Sequence, residues 1–74
     1  MTAIKIVYYT ETIDNWGRTE SSSKAEVIYN ILKNSDDFTD DMEFEDDKGR
    51  VYDIDSLIGK KVIVEGFDEF IVTE

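Results

Sequence analysis

The sequence predicts an α+β domain in which one helix packs on a four- to five-stranded, mostly antiparallel sheet, in the order β-(β)-α-β-β-β-β. Three observations support this fold class. One segment carries apolar residues at helical spacing, several short segments alternate as strands do, and glycine-containing turns separate them. Seventy-four residues supply material for one hydrophobic core, so residues 1–74 are expected to form a single domain.

The first strand is predicted at residues 3–10, which are mostly β-branched or aromatic. Strict alternation divides its side chains between two faces of the sheet. One face carries Ile4, Ile6 and Tyr8, and the other carries Lys5, Val7 and Tyr9.

Residues 14–18 have the pattern D-x-x-G-R, which predicts a three-residue hairpin loop with Gly17 at a position that needs positive φ. In that register Asp14 faces Arg18 across the loop, and a second strand follows. An open loop is the alternative. The pattern recurs at residues 46–50 between different flanks, which indicates repeated turn chemistry and not a duplicated unit.

The helix is predicted to begin after the serines at residues 21–23. Ser23 and Glu26 have the S-x-x-E spacing of a capping box. An apolar stripe at helical spacing follows and ends near Asn34. Its members are Ala25, Ile28, Ile31 and Leu32.

A second hairpin is predicted from a strand at residues 42–46, a loop at residues 47–49 and a returning strand at residues 50–55. A three-residue loop places the apolar side chains of both strands on one face, whereas a two-residue loop mixes apolar and acidic residues. These side chains are Met42, Phe44, Tyr52 and Ile54. The three-residue loop is therefore preferred. It pairs Asp46 with Arg50, Phe44 with Tyr52, Met42 with Ile54 and, on the outer face, Glu43 with Asp53.

The rest of the chain predicts a short helical turn and a last hairpin. Residues 55–59 form the turn, which Gly59 ends. Residues 61–65 and 70–73 form the hairpin. Residues 62–64 are apolar on both faces, which is typical of a central strand.

Missing residue types narrow the chemistry. The chain has no cysteine and no histidine, which excludes disulfides, thiolate metal sites and the commonest general base. We recognise no catalytic or cofactor motif and expect a non-enzymatic protein without a cofactor. Neither a membrane span nor a secretory signal pattern is present, so the expected location is cytoplasmic.

The formal net charge of −10 lies entirely in the second half of the chain. Residues 1–35 contain four bases and four acids, whereas residues 36–74 contain four bases and fourteen acids. Direct binding to nucleic acid or to an anionic membrane is disfavoured, because both are negative. A basic protein surface is the favoured partner. No pattern indicates an oligomeric state.

The acids predicted to bind that partner lie in one connection and one hairpin. Residues 36–47 contain eight acids and no base. The predicted register places Glu43 opposite Asp53, with Glu45 and Asp55 beside them, and like charges opposed on a sheet destabilise it. The predicted partner-binding residues are Asp36, Asp37, Asp40, Asp41, Glu43, Glu45, Asp46, Asp47, Asp53, Asp55 and Trp16.

Trp16, the only tryptophan, falls at the tip of the first loop. An exposed indole there would be a strong contact anchor. The sequence-based expectation is nevertheless that the side chain folds back over the core, as a large apolar group usually does.

The leading functional hypothesis is an acidic protein that binds a basic protein surface. Its most concrete form is a phage or mobile-element inhibitor that mimics nucleic acid and occupies a nucleic-acid-binding protein. The plainest alternative is a solvated face that supplies solubility and protects an edge strand. A small structural or accessory subunit, for example phage-related, would instead use Trp16 and the apolar strands. A weak divalent-cation module is a further alternative, although neither Gly49 nor Gly59 fits position 6 of an EF-hand loop.

Overall fold

The computed structural model describes residues 2–34, 36 and 38–73, and these form six strands and two helices of an α+β fold. The predicted α+β class and the optional second strand are therefore confirmed, but the sheet has six strands where four or five were expected, and a second helix stands where a short helical turn was predicted. In chain order the elements are β1 (Ile4–Thr12), β2 (Thr19–Ser22), α1 (Ala25–Lys33), β3 (Met42–Asp46), β4 (Val51–Asp53), α2 (Ile54–Leu57), β5 (Lys61–Val64) and β6 (Phe70–Ile71).

The sheet is mixed, and the prediction of a mostly antiparallel sheet is corrected on this point. Its strands lie in the order β4-β3-β1-β5-β6, and β2 pairs with β1 outside this path. β5 runs parallel to β1, while the remaining pairings are antiparallel. Alternation and loop length identify strands and their hairpin partners. They do not reveal the direction in which two strands distant in sequence meet, because that depends on the path of the intervening chain.

Strand β1 is the centre of the sheet. β3 pairs along one side of it, from Ile6 to Glu11. The other side is shared: β5 pairs with the first half, and β2 pairs with the second half as far as Thr12 and Thr19. Since β3 begins at Met42, opposite Glu11, the β1–β2 hairpin extends beyond it as a two-stranded arm, residues 12–19.

A β-bulge in β1 reverses the predicted alternation of its side chains. The register with β3 shifts between Ile6 and Tyr8. Ile6 faces the core before the bulge, and after it Tyr9 does so at 4% exposure, while Tyr8 is 37% exposed. Ile6 and Tyr8 therefore do not share a face as predicted, because one extra residue moves every later side chain to the other face.

Helix α1 has the predicted apolar stripe. Ile28 and Leu32 are fully buried, and Ala25 and Ile31 pack partly against the same core. The helix ends at Lys33, beside the predicted boundary. Its nine residues depend on the sheet for stability, because isolated helices of this length are marginal in water.

The predicted capping box at the start of α1 is absent. The N-cap residue is Lys24, which makes no side-chain capping hydrogen bond, so Ser23 and Glu26 do not cap the helix. Pairing with β1 keeps the chain extended through Ser22, whose hydroxyl accepts a hydrogen bond from the Lys24 N–H at 3.1 Å. Because of this strand pairing, the N-cap is Lys24, one residue later than the predicted N-cap, Ser23.

The β3–β4 hairpin has the predicted register. Phe44 lies opposite Tyr52, and the Asp46 N–H donates to the Arg50 carbonyl at 2.9 Å. The returning strand is shorter than predicted and ends at Asp53. The Asp53 carboxylate accepts a hydrogen bond from the Ser56 N–H at 2.9 Å and caps α2, so the chain turns into a helix.

The core lies on one face of the sheet, beneath both described helices. Its fully or nearly fully buried apolar residues are Ile6, Tyr9, Ile28, Leu32, Met42, Phe44, Ile54, Leu57, Val62, Val64 and Val72. The predicted last hairpin is present, and β5 lies between β1 and β6 as a central strand. None of the helices in the described part of the chain has the length and apolarity to cross a membrane.

Candidate functional site

The two D-x-x-G-R turns share one hydrogen-bonding arrangement. Asp14 Oδ1 accepts bonds from the backbone N–H groups two and four residues later, at 2.9 and 3.2 Å. Asp46 Oδ1 does the same at 2.9 and 2.8 Å. Gly17 and Gly49 adopt φ of 82° and 83°, a conformation that favours glycine. The repeated pattern is therefore turn chemistry, as the sequence predicted.

The first turn is one residue longer than expected. Its closing backbone bond runs from the Ile13 N–H to the Arg18 carbonyl at 3.0 Å, not from Asp14. Asp14 instead meets Arg18 through the side chains, at 3.3 Å. The hairpin is confirmed, and its register differs by one residue from the predicted one.

Asp46 is buried, with an exposed fraction of 6%. Unlike the exposed acids, it uses its carboxylate for hydrogen bonds within the hairpin. Its Oδ2 accepts a hydrogen bond from the Tyr52 hydroxyl at 2.8 Å. Burial by itself would raise the pKa of Asp46, but the N–H groups of Arg50 and Lys48, the Tyr52 hydroxyl and the Arg50 charge together lower it. The ionised side chain thus ties both strands and the loop together.

Trp16 is 89% exposed at the tip of the β1–β2 arm, so the expectation that it folds back over the core is wrong. The Asp14 carboxylate holds the Trp16 backbone N–H and shapes the turn. Pairing between β1 and β3 stops at Glu11, short of the arm, which leaves the indole without core to cover. Ile13 on the same arm is also exposed.

The outer face of the sheet, opposite the core, brings three of the predicted acids together. Glu43 lies directly opposite Asp53, and Glu45 follows two residues later on the same side of β3. Glu43 and Asp53 are exposed and Glu45 is half-buried. We call these three residues the acidic face. Tyr8, Thr10 and Val51 line a shallow depression of about 210 Å³ beside them.

No base neutralises the acidic face within the described residues, where the ion pairs join Arg18 to Asp14 and Lys61 to Glu69. The pKa of Asp53 is lowered, first by the Ser56 hydroxyl and then by the Ser56 N–H. Asp53 is therefore ionised at neutral pH. Two carboxylates directly opposed on neighbouring strands repel each other and destabilise the sheet.

The other predicted acids are dispersed around this face. Asp36, Asp40 and Asp41 are exposed in the connection before β3, and Asp37 lies outside the described residues. Asp47 is exposed in the loop at the opposite end of β3. Asp55 is exposed on α2 and does not continue the strand beside Glu43, which corrects its predicted position.

The sequence did not predict a groove of about 680 Å³ that the structure shows between β2 and α1. We call it the β2–α1 groove. Its lining residues are Tyr9, Glu11, Glu20, Ser21, Ser22, Lys24, Val27, Ile31 and Met42. Glu11 lies directly opposite Glu20. The expected three-residue loop would have placed Glu11 opposite Ser21, so the one-residue difference in register concealed this second pair of opposed acids.

No cluster of three or more potential metal-ligating side chains occurs among residues 2–34, 36 and 38–73. The chain matches no protein-family model, no curated protein and no solved structure.

Proposed function

We propose that the protein is a non-enzymatic interaction protein whose acidic face binds a basic protein surface. The observation that carries the proposal is the direct opposition of Glu43 and Asp53 without a neutralising base in the described chain. Charges that serve only solubility can be spread over the surface, where they do not repel across a strand pair. A basic partner relieves that repulsion when it binds.

The most specific form of the proposal is mimicry of nucleic acid, with a nucleic-acid-binding protein as the partner and a phage or mobile element as the source. Glu43 and Glu45 occupy alternate positions of β3. Such positions lie about 6.5–7 Å apart along a strand, a spacing comparable with that of neighbouring backbone phosphates. The acidic face would then occupy a groove that normally holds the phosphate backbone, at the cytoplasmic location expected from the sequence.

The test is affinity capture with two variants of equal charge. The face variant carries Glu43→Gln, Glu45→Gln and Asp53→Asn, and asparagine keeps the side-chain oxygen that caps α2. The control variant carries Glu26→Gln, Glu65→Gln and Asp68→Asn, which are exposed positions away from that face. We expect the face variant to lose its partner, and the control variant and the unchanged protein to retain it.

Two further measurements accompany the capture experiment: a salt series and the melting temperature of the face variant. Binding to the unchanged protein should weaken steeply as salt rises from about 0.05 to 0.5 M, since salt screens exposed charges. The face variant should melt at the same temperature as the unchanged protein or higher, because the opposed charges are gone. Equal capture by the face variant and the control variant would contradict the proposal.

A second candidate function is favoured by Trp16 alone. An indole that is 89% exposed on a protruding arm is suited to insertion into an apolar pocket of a larger assembly. In that case the protein is a structural or accessory subunit. Trp16→Ala would then abolish capture and Trp16→Phe would restore part of it, while the face variant would bind normally.

A further inference from the structure

We propose that the β2–α1 groove receives the side chain of an arginine from the basic partner. The inference rests on the proposed function, because it takes the partner to be basic, and it names the residue type that the partner inserts. It concerns a site separate from the acidic face: Glu43 and Asp53 lie on the outer face of the sheet, whereas Tyr9 and Met42 of the groove are buried on the core side.

Two carboxylates face each other in the groove. Glu11 and Glu20 are directly opposed on β1 and β2, where facing Cβ atoms lie about 4.5–5.5 Å apart. Within the described residues, neither carboxylate has a base within ion-pair distance. Lys24 lines the groove too, without an ion pair to either glutamate. A guest cation therefore finds two negative groups close together.

A hydrogen bond fixes the position of one of these carboxylates. The Tyr9 hydroxyl donates a hydrogen bond to Glu11 Oε1. Burial, followed by this bond and the charges of Glu11 and Glu20, raises the pKa of the Tyr9 phenol, so it stays a neutral donor at any physiological pH. Glu11 is thereby held towards the groove before a guest arrives, which reduces the entropy lost on binding.

The groove also has an apolar wall. Val27 and Ile31 lie one helical turn apart on α1 and line the groove, with Met42 buried below them. The three methylenes of an arginine can pack along such a wall while its head reaches the carboxylates. The planar guanidinium has five N–H donors and can bridge two carboxylates, whereas a lysine ammonium is a compact, strongly hydrated charge.

The experiment is an NMR titration of the ¹⁵N-labelled protein with the capped peptide Gly-Arg-Gly. Matched peptides contain lysine or the neutral arginine isostere citrulline. We expect the arginine peptide to shift the amide signals of Glu20, Val27 and Ile31, the lysine peptide to bind about fivefold more weakly, and the citrulline peptide to produce no saturable shift. Glu20→Gln should weaken arginine binding about tenfold.

The controls separate this inference from the proposed function. The face variant should still bind the arginine peptide in the groove. Glu20→Gln should leave the dispersion of the other amide signals unchanged, which shows that this variant is folded. The inference is overturned by equal binding of citrulline or lysine, by the same shifts with calcium chloride at matched ionic strength, or by unchanged affinity in Glu20→Gln. If the face variant loses its partner and any of these results is also obtained, the acidic face remains supported as the binding surface. The arginine site in the β2–α1 groove is then rejected.

Discussion

In both D-x-x-G-R hairpins the aspartate accepts hydrogen bonds from two backbone N–H groups, and a glycine takes positive φ. Their surroundings differ. Asp46 is buried and also binds the Tyr52 hydroxyl, whereas Asp14 is partly exposed and pairs with the exposed Arg18 side chain. The same local motif therefore anchors the sheet in one place and presents Trp16 to solvent in the other. The motif specifies the turn, and the packing around it specifies its role.

The largest expected difference between the hairpins comes from removing each aspartate side chain. Asp46→Ala leaves two N–H groups and the Tyr52 hydroxyl without their acceptor in a partly buried setting, and should lower Tm by on the order of 10 °C. Asp14→Ala should lower Tm by less than about 4 °C, because water replaces the lost acceptor. Thermal unfolding followed by circular dichroism measures both, and equal losses would refute the distinction.

A smaller and symmetric effect is expected at the two glycines. A Cβ at Gly17 or Gly49 meets no atom within 4 Å, so alanine costs only the strain of positive φ. That strain is about 1 kcal/mol for each residue. Chemical denaturation of Gly17→Ala and Gly49→Ala should give losses that agree within error. A much larger loss at Gly49 would mean that the buried hairpin resists local adjustment.

Acid should weaken the β3–β4 hairpin selectively. The folded-state pKa of Asp46 is lowered, so the stability from its ionised form is present above the unfolded pKa of about 3.9 and is lost as pH falls through the folded pKa. Tm measured from pH 7 to pH 2 should therefore fall less in Asp46→Asn than in the unchanged protein. Tyr52→Phe removes one donor that lowers this pKa and should give an intermediate curve. Parallel curves for all three would contradict the assignment.

The smallest effect on stability is expected at the tip of the β1–β2 arm. Trp16 makes little contact with the core, so Trp16→Ala should change Tm by no more than about 3 °C. Its indole fluorescence should also already be solvent-like in the folded protein, with an emission maximum that barely moves on unfolding. A blue-shifted folded spectrum would mean that the indole is covered in solution.

The sequence predicted the features that depend on neighbouring residues. Apolar spacing located α1, and the pairing of apolar side chains on one face gave the β3–β4 register that places Glu43 opposite Asp53. The glycine positions identified both turns. These features can be predicted from the sequence because helical periodicity, strand alternation and turn conformation are each determined within a few residues.

The remaining features depend on contacts between segments far apart in sequence. The parallel pairing of β5 with β1, the bulge that turns Tyr9 inward and the exposure of Trp16 all follow from where β1 lies among its neighbours. The β2–α1 groove likewise exists only because α1 crosses beside a hairpin whose register differs by one residue from the expected one. Local patterns do not encode these outcomes, because the native fold minimises the free energy of the whole packed chain and not that of any single segment.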